Sequence, residues 1–304
     1  MFDEPLLIIA VYCIIDELYQ ELYPKGVRGG GFAPRFSDVE ALTLAIVGEY
    51  LGIKRDKAMY EYFVKHYSQW FPQLPKRTQL VRQWSNLWQV EQAIWQALVK
   101  RHGADQCIYQ IIDTIPIPVC ALRRYKGRHI FPDDDLLLEA DVGYCASKDW
   151  HYFGFKGGIR ISANGMIVHA PLLAARPHDS QHTEALLAGM PATAIGLGDS
   201  GFLDEEEQQR WLDTYDVPLL TPLRRNMQPN AFLLPTALKP LRQLIETVYS
   251  QFVERFNVQA LRVRKAWTLS AKWYRKVLAH TVFVALNLQG GRPPLDFDGL
   301  LALP

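Results

Sequence analysis

Hydrophobic residues in the first hundred positions recur with the spacing of amphipathic helices. Between residues 74 and 103, apolar side chains return every three or four positions, with an interruption near Asn86 and a helix-ending Gly103. Ser37, followed three residues later by Glu40, predicts a helix that begins with a capping box. Residues 1–103 are therefore predicted to form an all-helical domain.

The pattern changes to that of strands from about residue 105. The run CIYQIID at 107–113 is typical of a buried strand, and two apolar runs flank the hairpin signal Asn164–Gly165. Polar helical segments and short apolar runs then alternate as far as the amphipathic segment that carries Glu246. The order three strands, helix, strand, helix, strand, helix predicts an α/β fold, a mixed sheet flanked by helices over 104–290, followed by a tail at 291–304.

Asp113 lies just before two prolines in the stretch IIDTIPIPVC. An unpaired carboxylate is costly inside a sheet, and Pro116 and Pro118 cannot donate a hydrogen bond to a neighbouring strand. The strand is therefore predicted to end here or to lie at a sheet edge. Asp113 is then either a functional group or a turn cap.

Two segments are interpreted as loops. The Gly/Pro-rich stretch 24–36 is a candidate hinge or disordered segment. The consecutive residues Asp133, Asp134 and Asp135 are typical of a solvated loop rather than a metal site, because consecutive side chains point in different directions.

Composition and charge exclude several classes of protein. The chain has 49% hydrophobic and 21% charged residues and a net charge of +1, so a DNA-binding argument must rest on local patches. The four cysteines form no C-x-x-C pair, which fits a reducing cytoplasm and argues against structural zinc. The N-terminal apolar run is too short to span a bilayer, so we expect no membrane association.

Three carboxylates occupy comparable positions. Asp113 ends the first strand, Asp199 follows the fourth, and Glu246 lies within the amphipathic helix. If the first and fourth strands are neighbours, the two aspartates meet at one edge, and a packed helix can present Glu246 there. Such a cluster repels itself unless cations neutralise it, and two divalent ions roughly 4 Å apart are suited to phosphodiester chemistry.

Six short motifs occur in a characteristic order. They are D-T-I-P-I-P-V-C (113–120), G-Y-C-A-S-K (143–148), Y-F-G-F-K (152–156), R-P-H-D (176–179), G-D-S-G-F (198–202) and R-x-x-x-E-T (242–247). Together they resemble the DDE transposases of bacterial insertion sequences, in the group with D-S/T-x-P-x-P-V-C at the first aspartate. The resemblance covers about 108–285.

The resemblance implies a ribonuclease-H-like core in which Asp113, Asp199 and Glu246 are catalytic residues and ligands of Mg²⁺ or Mn²⁺, with two ions. The implied reaction is cleavage of double-stranded DNA at the terminal inverted repeats of the element, followed by strand transfer into target DNA. It also implies at least a dimer on DNA, in the bacterial cytoplasm and at the nucleoid when active. The family signature expects a tyrosine and a lysine where Lys239 and Val253 stand, so the basic role passes to Arg255.

DNA contacts are predicted in three regions. Between Arg255 and Leu295 there is no acidic residue, and basic residues alternate with Trp267, Trp273 and Tyr274. Residues 75–84 could form the second helix of a helix-turn-helix. The candidate DNA-binding residues are Arg242, Arg255, Arg262, Arg264, Lys265, Lys272, Lys148, Lys156, Lys76, Arg77 and Arg82, and the C-terminal basic run also contains Arg275 and Lys276. For each of these regions, the alternative is that the residues lie on a solvated surface or in the core. His178 and Asp179 are predicted to have hydrogen-bonding roles.

Two other functions stay open at this point. One is a structure-selective DNA nuclease on the same core that does not transpose DNA. The other is a domesticated DNA-binding protein without catalysis, against which the intact acidic triad argues. A phosphate-binding loop is not indicated, because GGGF at 29–32 lacks the lysine and the following helix.

Overall fold

The computed structural model describes residues 2–28, 34–124, 140–145, 148–223, 228 and 230–301. The α-helices of this part of the chain are α1 (Glu4–Leu22), α2 (Asp38–Tyr50), α3 (Asp56–Tyr67), α4 (Arg77–Asn86), α5 (Trp88–Arg101), α6 (Thr183–Leu187), α7 (Glu205–Tyr215), α8 (Lys239–Glu254) and α9 (Ala266–Gln289). Its strands are β1 (Tyr109–Cys120), β2 (Asp141–Cys145), β3 (Trp150–Ser162), β4 (Ile167–His169), β5 (Leu172–Ala174), β6 (Ile195–Leu197) and β7 (Leu219–Leu220). Asp133, Asp134 and Asp135 and part of the 24–36 loop lie outside the described residues.

Packing divides the chain into two compact units. The first comprises Met1–Leu98, Gln251–Val258 and Trp267–Pro304, and the second comprises Val99–Ser250 and Gln259–Ala266. Nearly all of α9 therefore packs among the N-terminal helices, although it is the last long helix in sequence order. The functional domain limits at 103 and 290 stay a prediction.

The helical starts and stops in the first unit follow the sequence signals. The Ser37 side chain accepts from the Glu40 backbone N–H at 3.1 Å, and Glu40 Oε2 accepts from the Ser37 backbone N–H at 2.7 Å, which completes the predicted capping box. The helical pattern at 74–103 does break between α4 and α5, and Gly103 adopts a left-handed conformation with φ 61°. No helix within the described ranges is long and apolar enough to cross a membrane.

The core of the first unit surrounds α9. Trp273, Val277 and Phe283 of this helix are fully buried, and the Phe283 ring lies 4.4 Å from the Tyr50 ring. The Tyr50 hydroxyl donates to the Phe297 carbonyl oxygen at 2.6 Å, which joins α2 to the segment after α9. These contacts explain why α9 belongs to the helical unit.

The second unit is built on a mixed sheet with the strand order β2-β3-β1-β6-β7, and β4 and β5 also pair with β3. β1 runs antiparallel to β3 and parallel to β6, so the predicted adjacency of the first strand and the strand before Asp199 is confirmed. With its flanking helices this is the mixed α/β arrangement that the ribonuclease-H-like prediction describes. The hairpin at Asn164–Gly165 is also confirmed, with Gly165 at φ 81°.

Two details of the strand prediction are wrong. β1 does not end at Asp113 but continues to Cys120, because β3 pairs with it from Gln110 to Cys120. Pairing with β6 covers only Tyr109–Ile111, so Pro116 and Pro118 lie where β1 has one partner among the described strands, which agrees with the alternative prediction of a sheet edge. The second difference is that five strands, rather than three, precede α6 among the described residues of this unit.

The glycine of the Y-F-G-F-K motif permits the close pairing of β3 with the far end of β1. A Cβ atom on Gly154 would lie 2.1 Å from the Ile117 carbonyl oxygen, and the register shifts between Pro118 and Cys120. Only a residue without a side chain allows the two backbones to approach this closely.

Candidate active site

Asp113 and Asp199 occupy equivalent positions relative to two strands that are parallel neighbours. The pairing of β1 with β6 ends at Ile111 and Leu197, and Asp113 and Asp199 each lie two residues further along their own strand direction. Asp113 Oδ1 accepts from the Thr114 backbone N–H at 2.7 Å, and Asp199 Oδ1 accepts from the Gly201 backbone N–H at 2.8 Å. Each carboxylate is thereby oriented through one oxygen by the local backbone.

The Asp199 carboxylate acts electrostatically on Asp113. Burial raises the pKa of Asp113 to about 7, and the neighbouring Asp199 charge adds to this effect. The Thr114 N–H and Arg242 act in the opposite direction. Two carboxylates with one nearby guanidinium form a site that favours additional positive charge.

Arg242 connects Asp199 to the third candidate. Its guanidinium donates to Glu246 Oε1 at 2.6 Å and lies 4.0 Å from Asp199 Oδ2. The i, i+4 spacing on α8 that the sequence predicts is confirmed, and Glu246 remains mostly exposed. Among the described residues, no group of three His, Cys, Asp or Glu side chains is arranged to hold a metal ion. The structure therefore places Asp113 and Asp199 at adjacent strands and pairs Glu246 with Arg242.

Lys156 and Asp179 form an ion pair that Thr114 links to Asp113. Lys156 Nζ donates to Asp179 Oδ1 at 2.8 Å, and the Thr114 hydroxyl donates to the same oxygen at 2.8 Å. Lys156 is only 6% exposed and also donates to the Pro177 carbonyl oxygen at 2.7 Å. Lys156 is thus a buried, paired lysine rather than a surface residue. His178 accepts from the Ser180 backbone N–H at a helix start, so it and Asp179 have the hydrogen-bonding contacts expected of them.

Lys148 is an exposed cation next to the site. Its ammonium donates to Gln259 Oε1 at 3.2 Å and lies 5.9 Å from the centre of the Tyr249 ring. Burial, then Cys145 and Asp113, raise the pKa of Tyr249, which lies one helical turn after Glu246 on α8. The sequence reasoning missed Thr114 and Tyr249. Thr114 follows Asp113 in its motif, and Tyr249 lies three residues after Glu246 on the same helix, so both positions could have identified them.

Of the other predicted DNA-binding residues, some are exposed and some are already paired with other residues. Arg262, Arg264 and Lys265 are exposed in the second unit, and Lys76, Arg77 and Arg82 are exposed on and before the first turns of α4. Arg255 and Lys272, by contrast, already have partners in the first unit.

The paired basic residues of the C-terminal region stabilise the helical unit. Arg255 forms an ion pair with Asp298 and lies over the Tyr50 ring, and Lys272 lies 3.8 Å from Asp56. Arg275 and Lys276 are buried and bind Glu49 at 2.7 Å and 2.5 Å. The C-terminal basic run is therefore not one continuous surface.

Comparison with known families identifies the class of protein that this site belongs to. The family model described as Transposase DDE domain matches residues 102–266, more than half of the chain. The chain belongs to the transposase DDE domain family, which confirms the sequence resemblance at the level of the family. No curated protein and no solved structure matches the chain.

Proposed function

We propose that this chain cleaves DNA at the ends of an insertion sequence and joins those ends to target DNA in a reaction that depends on divalent metal ions. The observation that carries the proposal is the equivalent placement of Asp113 and Asp199 at adjacent parallel strands, where burial and then the Asp199 charge raise the pKa of Asp113, in a chain of the transposase DDE domain family. The proposed site of action is the bacterial cytoplasm, at the nucleoid.

The donor set fits the metal that the family implies. Both aspartates offer hard carboxylate oxygens, which Mg²⁺ and Mn²⁺ prefer. The pKa of Asp113 is raised first by burial and then by the Asp199 charge, and Arg242 opposes this shift only in part. Asp113, Asp199 and Glu246 would hold the metal, in two sites. When bound, the metal would supply Lewis-acid stabilisation of the phosphodiester and a lower pKa for the attacking water or 3′-hydroxyl.

The side chains around the aspartates have separate roles in the proposal. Arg242 holds Glu246 near Asp199 through an ion pair and would be available for a phosphate if Glu246 changed partner. Lys148 offers an exposed ammonium for the DNA backbone beside Tyr249. Thr114, held by Asp179, fixes the backbone N–H that orients Asp113.

The test compares single-carboxylate variants in DNA cleavage and in metal binding. The substrate is linear DNA carrying both flanks of the chain's own coding sequence, and the variants are Asp113→Asn and Asp199→Asn. We expect Mg²⁺-dependent cleavage to fall at least about 100-fold, because each change removes a charged ligand. Calorimetric titration with Mn²⁺ should show weakened binding in the same variants.

Asp213→Asn is the matched control, since Asp213 is an exposed carboxylate on α7 of the same unit. The control should retain cleavage and Mn²⁺ binding. Full cleavage by Asp199→Asn would refute the proposed site. Cleavage without joined products would indicate the structure-selective nuclease, and DNA binding without cleavage or metal binding would indicate the domesticated protein.

Joining two element ends requires both to be held in one complex, so the proposal includes at least a dimer on DNA. Light scattering of the protein with and without end DNA measures this directly. A complex with one chain per two ends would contradict it.

A further inference from the structure

A large cleft opens at the far end of β1, within the second unit. It has a volume of about 1280 Å³ and is lined by residues 118–123 at the end of β1 and after it, by 150–152 at the start of β3, and by 259, 260 and 262–264. This volume exceeds the roughly 300–1,000 Å³ of a pocket for one small molecule. The cleft is therefore suited to an extended ligand.

The charge of the cleft is positive. Arg123, Arg262 and Arg264 contribute guanidinium groups, and none of the described lining residues is acidic. All three arginines are exposed, and no ion pair joins them to a carboxylate in the described part of the chain. An anionic ligand is expected, and a chain of phosphates matches several separated arginines better than a single anion does.

The backbone directs two of these arginines to the solvent. Leu261 and Val263 are each 3% exposed and anchor the segment, while Arg262 and Arg264 alternate with them on the outer side. Arg262 has φ 51°, a left-handed conformation that is uncommon for a residue with a side chain. The two guanidinium groups are thus held at the cleft by buried neighbours.

Aromatic and apolar side chains supply the rest of the wall. Trp150 and the exposed His151 line the cleft, and the His151 ring lies 4.9 Å from the ring of Tyr144, which is 48% exposed. Unpaired bases stack on exposed aromatic rings, whereas paired bases in a duplex are already stacked on each other. Arginines combined with exposed rings in a concave site favour an unpaired strand over a duplex.

The cleft also lies in line with the catalytic pair. Pro118 is five residues beyond Asp113 on the same strand, a distance of roughly 17 Å at the usual rise of a strand. That span corresponds to about five nucleotides at the duplex rise. A strand whose scissile phosphate lies at Asp113 can therefore reach the cleft.

We propose that this cleft binds an unpaired DNA strand, a few nucleotides from the scissile phosphate, through Arg123, Arg262 and Arg264 and by stacking on His151. The inference rests on the proposed function, because a protein that cuts DNA strands and moves their ends must hold the unpaired segment that results. The proposed function already includes phosphate contacts at the cutting site. The inference adds that the cleft prefers single-stranded DNA.

The experiment measures fluorescence anisotropy of a labelled 20-nucleotide single strand and of the matching duplex, without metal, across a salt titration. The main variant is Arg123→Ala/Arg264→Ala in the full chain. We expect its single-strand affinity to fall at least about 10-fold at 100 mM salt, and the salt slope to fall by about 1.4 for two lost phosphate contacts. Duplex affinity should fall less than threefold.

Two further variants separate stacking and general charge from the cleft. His151→Ala should weaken single-strand binding about fivefold with an unchanged salt slope, because it removes a ring and no permanent charge. Arg210→Ala, an exposed arginine on α7 away from the cleft, is the matched control and should leave both affinities unchanged.

Equal losses for single strand and duplex in the main variant would overturn the preference for unpaired DNA. Unchanged single-strand binding would overturn the site itself. The measurement does not depend on cleavage: if Asp199→Asn cleaves normally, the proposed function fails while the cleft variants still decide the binding site.

Discussion

Lys156 and Thr114 donate to the same carboxylate oxygen, Asp179 Oδ1, each at 2.8 Å. This shared oxygen links the three sequence motifs that contain Thr114, Lys156 and Asp179. The Thr114 backbone N–H in turn donates to Asp113 Oδ1, so the ion pair of Lys156 with Asp179 holds the strand at Asp113. The orientation of the Asp113 side chain therefore depends on Lys156 and Asp179 as well as on its own strand.

Replacing Lys156 with methionine should destabilise the protein. The change leaves Asp179 without its cation, and because Asp179 is one-third exposed we expect a loss of about 2 kcal/mol, below the cost of breaking a fully buried pair. Thermal unfolding should shift down by roughly 4–8 °C. Lys148→Met, at an exposed lysine, is the control, and equal melting temperatures for both variants would contradict the structural role of Lys156.

Arg275 should behave as a core residue of the helical unit. It donates to Glu49 Oε1 at 2.7 Å and to Asp56 Oδ1 at 2.9 Å, and its guanidinium lies 5.5 Å from the Trp84 ring centre. Arg275→Met leaves Glu49 and Asp56 with Lys276 and Lys272 as their remaining cations, so we expect a loss of about 3 kcal/mol in urea unfolding, the low end of the cost of breaking a buried pair. Arg264→Met should unfold like the wild type. A stable Arg275→Met protein with weakened DNA binding would instead place Arg275 on the DNA surface.

Glu91 should make stability depend on pH. Burial raises its pKa from 4.5 to about 8, Arg275 opposes this and Glu49 adds to it. The folded state thus binds the proton more tightly, and the contribution of Glu91 to stability is complete below about pH 4.5 and is lost as the pH rises through about 8.

Glu91→Gln removes this dependence, because glutamine has no charge to bury. We expect the variant to gain on the order of 3 kcal/mol over the wild type at pH 9 and to show little gain at pH 5. Urea unfolding at the two pH values measures the difference. Glu61→Gln, at an exposed glutamate of α3, is the control, and a gain that does not change with pH would rule out titration of Glu91.

The first turns of α4 remain the predicted contact with duplex DNA. Arg77 and Arg82 are exposed on this helix, while Leu80 and Trp84 hold it in the unit. Arg77→Ala/Arg82→Ala should weaken duplex binding and lower the salt slope by about 0.9 for each lost phosphate contact. Lys57→Ala on α3 is the control. Deleting residues 1–103 is a poor test, because α9 packs in the same unit and would lose its partners.

Local signals in the sequence predicted local structure well. The Ser37–Glu40 box, the break near Asn86 and the Asn164–Gly165 turn each depend on residues a few positions apart, so the chain itself carries the information. The adjacency of Asp113 and Asp199 followed from strand order and from motifs. Strand β2 was missed because five residues with a mixed pattern, Asp141–Cys145, become a strand only by pairing with β3.

Long-range pairing explains the remaining differences. The C-terminal basic run has no acidic neighbour in sequence, but Arg275 and Lys276 find Glu49 across 226 and 227 positions. Lys156 likewise appeared available for phosphate until the fold brought Asp179 to it. The i, i+4 spacing in the sequence predicted that Arg242 and Glu246 share a helix face. The distance of Arg242 from Asp199, by contrast, depends on how α8 packs.

The wide sequence separation between Glu49 and its two cations has a consequence for synthesis of the chain. At roughly 5–20 residues per second, a ribosome needs about 10–45 s to reach Lys276 after it has made Glu49. During that interval Glu49 has neither of its two cations, and burying its charge without them would be unfavourable. The helical unit can therefore mature only after nearly the whole chain has been translated, and transcripts that stop before α9 should yield chains that are cleared by proteases.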